Sequence, residues 1–264
     1  MLFRSCLDNL PAYRGMSADG SVLVGTAFTG TSTGLQNQYV TTNGLAFRWV
    51  FNSPAVTEIP RPAGGTWSSA IAISPNGNLT LTGGNSTDYP LGEVWVHNAT
   101  TNAIAELGSP NTQFTPRLFG GMTADGSVVG VTFTGGGGLG QNPTFQTNPV
   151  QYAYLHNSFG WFHLANVLTA QGVNLWANGW DPANMIVTGI RTVDTDNNGT
   201  ADVDLVFGQG RRRNTNGSAG APEGFVASFP VGVLANYQLP VVTPVANRSL
   251  VGAWALGSNP NNPL

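Results

Sequence analysis

Short runs of β-branched and aromatic residues, many alternating apolar with polar, follow one another from residue 12 to about residue 230. A two-residue period of this kind predicts strands and not helices. The runs fall into sets. The opening runs, 12–17, 68–74, 117–123 and a degenerate 174–180, each lead to a turn. The turns read Ser17-Ala18-Asp19-Gly20-Ser21, Ser74-Pro75-Asn76-Gly77-Asn78 and Thr123-Ala124-Asp125-Gly126-Ser127, with a worn fourth copy at Asp181-Pro182-Ala183-Asn184. Glycine, or asparagine as its best substitute, supplies the positive φ that a tight hairpin needs. Second strands follow at 22–26, 79–82, 128–132 and 186–190. Third strands are aromatic, at 46–52, 92–98, 151–157 and 223–227. Fourth strands close the sets at 56–59, 104–107 and 161–164, with a last copy near 233–239.

The turn positions Gly20, Gly77, Gly126 and Asn184 recur about every 50 residues, a period that fits a four-stranded propeller blade. The expected fold is therefore all-β and propeller-like, with about four to five antiparallel four-stranded blades. One repeat domain over 12–240 is expected, with units near 12–60, 68–108, 117–168 and 174–239, between irregular segments 1–11 and 241–264. The strand at 12–17 is expected to complete the last blade, closing the ring and removing an exposed edge.

The Ala-Asp-Gly-Ser turns, the strand Ala46-Phe47-Arg48-Trp49 and the closing Glu106-Leu107-Gly108 together resemble the HAF-repeat family of exported bacterial proteins. That resemblance covers about residues 12–230. It implies an extracellular or cell-surface placement and supplies no shared catalytic residues.

Composition narrows the function. Charged residues make up 9% of the chain and the net charge is −3, with 35 Gly and 17 Pro. No basic stripe exists to gather nucleic acid. All basic residues are Arg. A single cysteine leaves no disulfide framework or Cys-based zinc site. Met1-Leu2-Phe3 lacks the apolar core of a signal peptide, and no apolar run reaches the ~20 residues of a membrane span. The run Gly135-Gly136-Gly137-Gly138-Leu139-Gly140 has no helix pattern after it to cradle phosphate. No nucleotide or redox cofactor is expected.

Repeat registration disposes of most candidate chemistry. His97 and His156 share one repeat position, Glu58 and Glu106 another, and Asp19 and Asp125 open turns. Asp181 and Glu223 lie in the divergent fourth unit and, with His163, are the remaining candidates for acid–base work of the kind that cleaves glycans. Trp176 and Trp180 have rings suited to stacking on sugars. Arg211, Arg212 and Arg213, expected in an Asn/Gly-rich loop, suit anionic groups. The sharpest departure from the repeat is the run 194–204. Its Asp194, Asp196, Asn198, Thr200 and Asp202 follow the spacing of a calcium loop. Position twelve is Leu205 and not a bidentate Glu, so a structural Ca²⁺ and an acidic β-turn both stay open. The expectation is an exported binding or surface-interaction module for a glycan or other extracellular ligand. A carboxylate-dependent glycan hydrolase acting at the channel mouth is the alternative, and a structural assembly protein the third.

Overall fold

The computed structural model describes residues 12–28, 44–135, 150–181, 185–214 and 219–239. The segments 1–11 and 241–264, the Asn184 turn and the glycine run from Gly136 lie outside the described residues. The first sheet is a meander of β1 (Ala12–Met16), β2 (Val22–Phe28), β3 (Gly44–Val50) and β4 (Val56–Glu58). The second holds β5 (Ser68–Ile73), β6 (Leu79–Gly84), β7 (Glu93–Asn98) and β8 (Ala103–Gly108), and the third β9 (Thr115–Met122), β10 (Val129–Gly135), β11 (Val150–Asn157) and β12 (Gly160–His163). The helix α1 (Leu164–Ala170) follows. A fourth sheet contains only β13 (Ile186–Val193), β14 (Val203–Arg213) and β15 (Ala219–Pro230). All pairings are antiparallel between sequence neighbours, as the alternating pattern predicts.

The repeated turn earns its repetition through one hydrogen-bond scheme. Asp19 Oδ1 accepts from the Ser21 N–H at 3.0 Å and from the Ser17 hydroxyl at 2.6 Å, while Ser17 Oγ accepts from the Val22 N–H at 2.9 Å. Asn76 with Ser74, and Asp125 with Thr123, repeat it. The Asx side chain thus stands in for a backbone acceptor inside the hairpin.

The four sheets pack face to face in chain order. Inner strand β5 lies between β1 and β9, and β9 lies beside β13. Val24, Ala46, Ile59 and Ala70 fill the first interface, and Ile71, Leu81, Val94, Val131 and Phe133 the second. The third interface is the largest, joining Leu155, Val187, Ile190 and Val206 to the buried face of α1. Two tryptophans tie neighbouring sheets. Trp95, fully buried, donates its indole N–H to the Pro60 carbonyl at 3.1 Å, and Trp161 does the same to Leu107 at 2.7 Å. The inner strands approach so closely that a Cβ on Gly121 would lie 2.2 Å from the Ile190 amide nitrogen. Together they line an axial cavity of about 630 Å³.

The first three units match the predicted four strands each. The fourth does not. Residues 174–180 form a turn held by Ala177 N–H to Asn174 Oδ1 and Trp180 N–H to the Leu175 carbonyl, with a single bridge from Trp180 to Arg212. The run at 186–190, expected as a second strand, is the inner strand β13, because β13 packs on β9. The predicted last strand at 233–239 is a turn that buries Leu234 against the third interface. The stretch after β12 is helical because Leu164, Val167 and Leu168 recur at helical spacing and are buried together. β1 pairs with β2 inside the first sheet and does not complete the last. Among the described residues β13 does not pack on β1 as the other inner neighbours do, so four blades form no closed ring.

Candidate ligand groove and acidic loop

Correct registration of the fourth unit changes what the acidic run is. It joins inner strand β13 to β14 and so occupies the place of the Ser17, Ser74 and Thr123 turns. The Asp202 N–H donates to the Val193 carbonyl at 3.0 Å and closes the base of the loop, the reverse direction to the first turn, where the Ser17 N–H on the leading side donates to the Val22 carbonyl. In the enlarged loop Asp194, Asp196 and Asp202 bring one carboxylate oxygen each within 4.8 Å of one another. Asn197 at φ 58° and Gly199 at φ 87° provide the two left-handed residues that curl the chain around them. Asn198 and Thr200 serve the turn instead: the Thr200 N–H donates to Asn198 Oδ1 at 2.8 Å, and Asn198 Nδ2 donates to Asp196 at 2.9 Å.

The loop favours the charged form of two of its carboxylates, Asp194 and Asp202. Hydrogen bonds from the Thr195 hydroxyl and N–H hold Asp202 below the usual carboxylate range. Desolvation pushes Asp194 up, but bonds led by the Gly199 N–H at 2.7 Å outweigh it and leave it lowered as well. Asp194 Oδ1 is closed to solvent and has no hydrogen-bond partner among the described residues. Three carboxylates converging in this way form a cluster capable of coordinating a divalent metal.

The second feature is a groove of about 530 Å³ along the outer edge of β15. Its floor is Phe225, Ala227 and Phe229; α1 and the 171–180 segment supply Leu168, Gln171, Leu175, Asn178 and Trp180, and β14 supplies Arg212. Gly210 makes the Trp180 position possible, since a Cβ there would lie 2.9 Å from the indole ring. The Arg212 guanidinium sits 5.1 Å from the Trp180 ring centroid, and its Nε is 3.1 Å from Glu223 Oε2. Trp180 meets Phe225 edge to face, centroids 6.2 Å apart. The result is an apolar wall with a guanidinium and two amides at its rim, a composition common to small-ligand sites.

These relations place the predicted residues. Trp180 and Arg212 come together in the groove. Trp176 stands on the same turn, 52% exposed, and does not line it. The three arginines lie on β14 and not in a loop, because β14 runs to Arg213; Arg211 donates to the Gly220 carbonyl at 3.1 Å. Asp181, nearly buried, donates its N–H to the Arg211 carbonyl at 2.9 Å. His163 packs against the edges of Tyr152 and Tyr154 on the third blade, and burial lowers its pKa to about 4, so it is neutral. Asp181, Glu223 and His163 line neither the groove nor the axial cavity. Sequence reasoning missed Gln171, Asn178 and Phe225, and the helical spacing of Leu164, Val167 and Leu168 was the signal that would have found the first.

Several solved structures are similar to this chain at low scores. The propeller domain of a trilobed protease from Pyrococcus furiosus is 8% identical, with a TM-score of 0.43, 83% of this chain and 54% of that one being covered. An oligogalacturonate lyase from Vibrio parahaemolyticus is 10% identical at a TM-score of 0.40, covering 80% and 52%. TolB from Acinetobacter baumannii is 12% identical at 0.39, covering 84% and 43%.

The chain has a propeller-like all-β fold.

This propeller-like chain spans about half the length of the solved chains it matches. No family model and no curated protein sequence matches it, so the likeness extends to the fold and not to the HAF-repeat family in particular. No helix among the described residues is long and apolar enough to cross a membrane.

Proposed function

We propose that this propeller-like chain is an exported module that binds a glycan in the groove beside β15, with a calcium ion held by Asp194, Asp196 and Asp202 fixing the neighbouring hairpin. The observation that carries the reading is the convergence of Trp180, Phe225, Arg212, Asn178 and Gln171 on one open groove. An aromatic face stacks on the apolar side of a sugar ring while amides and a guanidinium meet its hydroxyl or acidic groups. Export is supported by a surface with few charges and by the motifs shared with HAF repeats. Binding to a polysaccharide panel, measured calorimetrically, is the test. Trp180→Ala and Arg212→Gln are each expected to weaken binding about tenfold, the size of one lost stacking or charge-assisted contact. Retention of full affinity in both would overturn the assignment.

A second reading, a carboxylate-dependent glycan hydrolase, rests on the strand pairing that brings two acids to one end of the fourth sheet. Asp181 bonds the backbone of Arg211 and Glu223 pairs with Arg212. Release of reducing ends from the same panel, abolished in Asp181→Asn and Glu223→Gln, is the outcome that reading requires.

A further inference from the structure

The axial cavity carries an unbalanced charge. Of the arginines whose side chains are described, Arg61 and Arg212 have carboxylate partners at 3.1 Å. Arg48 and Arg211 donate to the Gly77 and Gly220 carbonyls, and Arg117 to the Thr134 hydroxyl. Arg14 on β1 and Arg191 on β13 have no partner among the described residues, and both line the axial cavity. No carboxylate of the described residues lines it, although acids outnumber bases in the chain as a whole. Arg14 is the more constrained. Its Nε is closed to solvent with nothing to receive its proton, and burial lowers its pKa from the usual arginine value. Two like charges lining one partly apolar space repel each other, and burial costs Arg14 part of its hydration. An anion between them reverses both costs.

The remaining lining limits what that anion is. Ile71, Ile73, Phe119 and Met122 form apolar wall, while Thr188 and Thr192 bring hydroxyls. The volume of about 630 Å³ is in the range of small-molecule sites and far exceeds an inorganic ion. A Cβ on Gly189 would meet only Phe207, at 3.9 Å, so the wall stays open beside Arg191.

We propose that the axial cavity is a binding site for a small organic carboxylate of sugar size, its carboxylate received by Arg14 and Arg191. The site is separate from the groove beside β15, and neither proposal depends on the other.

D-glucuronate and D-glucose are the probes, because they differ at the carboxylate carbon alone, and isothermal calorimetry on the full chain reads binding. Glucuronate is expected to bind and glucose not. Arg14→Gln and Arg191→Gln are each expected to lower glucuronate affinity at least tenfold, and Arg14→Lys to recover part of the loss by restoring the charge. Arg191 is exposed, so its variant tests the site without disturbing the core, and unchanged melting temperature checks this. Equal binding of glucose, or full glucuronate affinity in both Gln variants, would overturn the proposal. Sulfate binding as tight as glucuronate would refute the organic ligand. Loss of glucuronate binding in Trp180→Ala alone would assign it to the groove and refute the axial site.

Discussion

Calcium should raise the melting temperature of this chain, and the geometry of the acidic loop sets the scale. The three carboxylates are already within 4.8 Å of one another, so little rearrangement stands between the free and bound loop. Position twelve is Leu205, which removes the bidentate acid of the strongest loops, so calcium bound at the proposed site would have the affinity of the weak class, a Kd of about 10⁻⁴ M. At calcium a hundredfold above that value the native state gains about 2.7 kcal/mol. For a domain of this size each kcal/mol moves the midpoint by roughly 2–4 °C, so differential scanning calorimetry should show a rise of about 5–10 °C in 10 mM calcium over excess chelator. Asp196→Asn is the decisive variant. It keeps an acceptor for the Asn198 N–H, now bonded to Asp196 Oδ1 at 3.2 Å, while removing one anionic oxygen. The increment should fall by at least half while the midpoint in chelator hardly moves. The pH dependence has a fixed sign: Asp194 and Asp202 are lowered in the fold, so their contribution is present above the ordinary carboxylate pKa and is lost as pH falls through the folded values. A midpoint indifferent to chelator, or a full increment in Asp196→Asn, would refute the cation site.

Glu93 is fully buried on β7, and desolvation, reinforced by Glu106 and Asp88, raises its pKa. Its contribution to stability is complete below the unfolded carboxylate pKa and is lost as pH rises through the folded value, so Glu93→Gln should gain about 1–3 kcal/mol at neutral pH and nothing near pH 4 by chemical denaturation. A variant less stable than its parent at pH 7 would contradict this. Gly121→Ala should cost about 1–3 kcal/mol in urea unfolding, because the new Cβ forces β9 away from β13; a neutral substitution would mean the inner strands are not packed as described.

Three of the four blades were legible because their information is local. An Asp-Gly or Asn-Gly turn, a β-branched run and an aromatic run each report on a few adjacent residues. The fourth unit was misread because its markers point the wrong way. Asp181-Pro182-Ala183-Asn184 imitates the repeated turn, whereas the true counterpart is the acidic loop, lengthened until it no longer looks like its relatives. Only the packing of β13 on β9, a contact between distant residues, shows that β13 is an inner strand. The groove was half legible: Trp180 and Arg212 were visible as chemistry, but their meeting depends on the bridge between them and on Gly210 admitting the ring. Arg14 gave no signal at all, since it stands inside a repeat position and its isolation is a property of the cavity.

That same misreading explains where a ligand has room. In the first three units the aromatic third strand is covered on its outer edge by β4, β8 or β12. In the fourth, β15 is paired only with β14 among the described residues, because residues 233–239, which follow it where β4, β8 and β12 follow their third strands, form a turn, and α1 with the 171–180 segment faces the edge instead. An exposed strand edge offers a row of unpaired N–H and C=O groups. Here that edge runs along Gly224–Phe229 inside the groove, between the rings of Trp180 and Phe225 and the rim amides of Asn178 and Gln171. On the proposed reading a polyhydroxylated ligand would use both kinds of surface at once, its ring face on the aromatics and its hydroxyls on the backbone. The groove therefore exists because the repeat fails to complete its last blade, and a variant that extended β15 with a designed partner strand should abolish glycan binding while leaving the calcium increment intact.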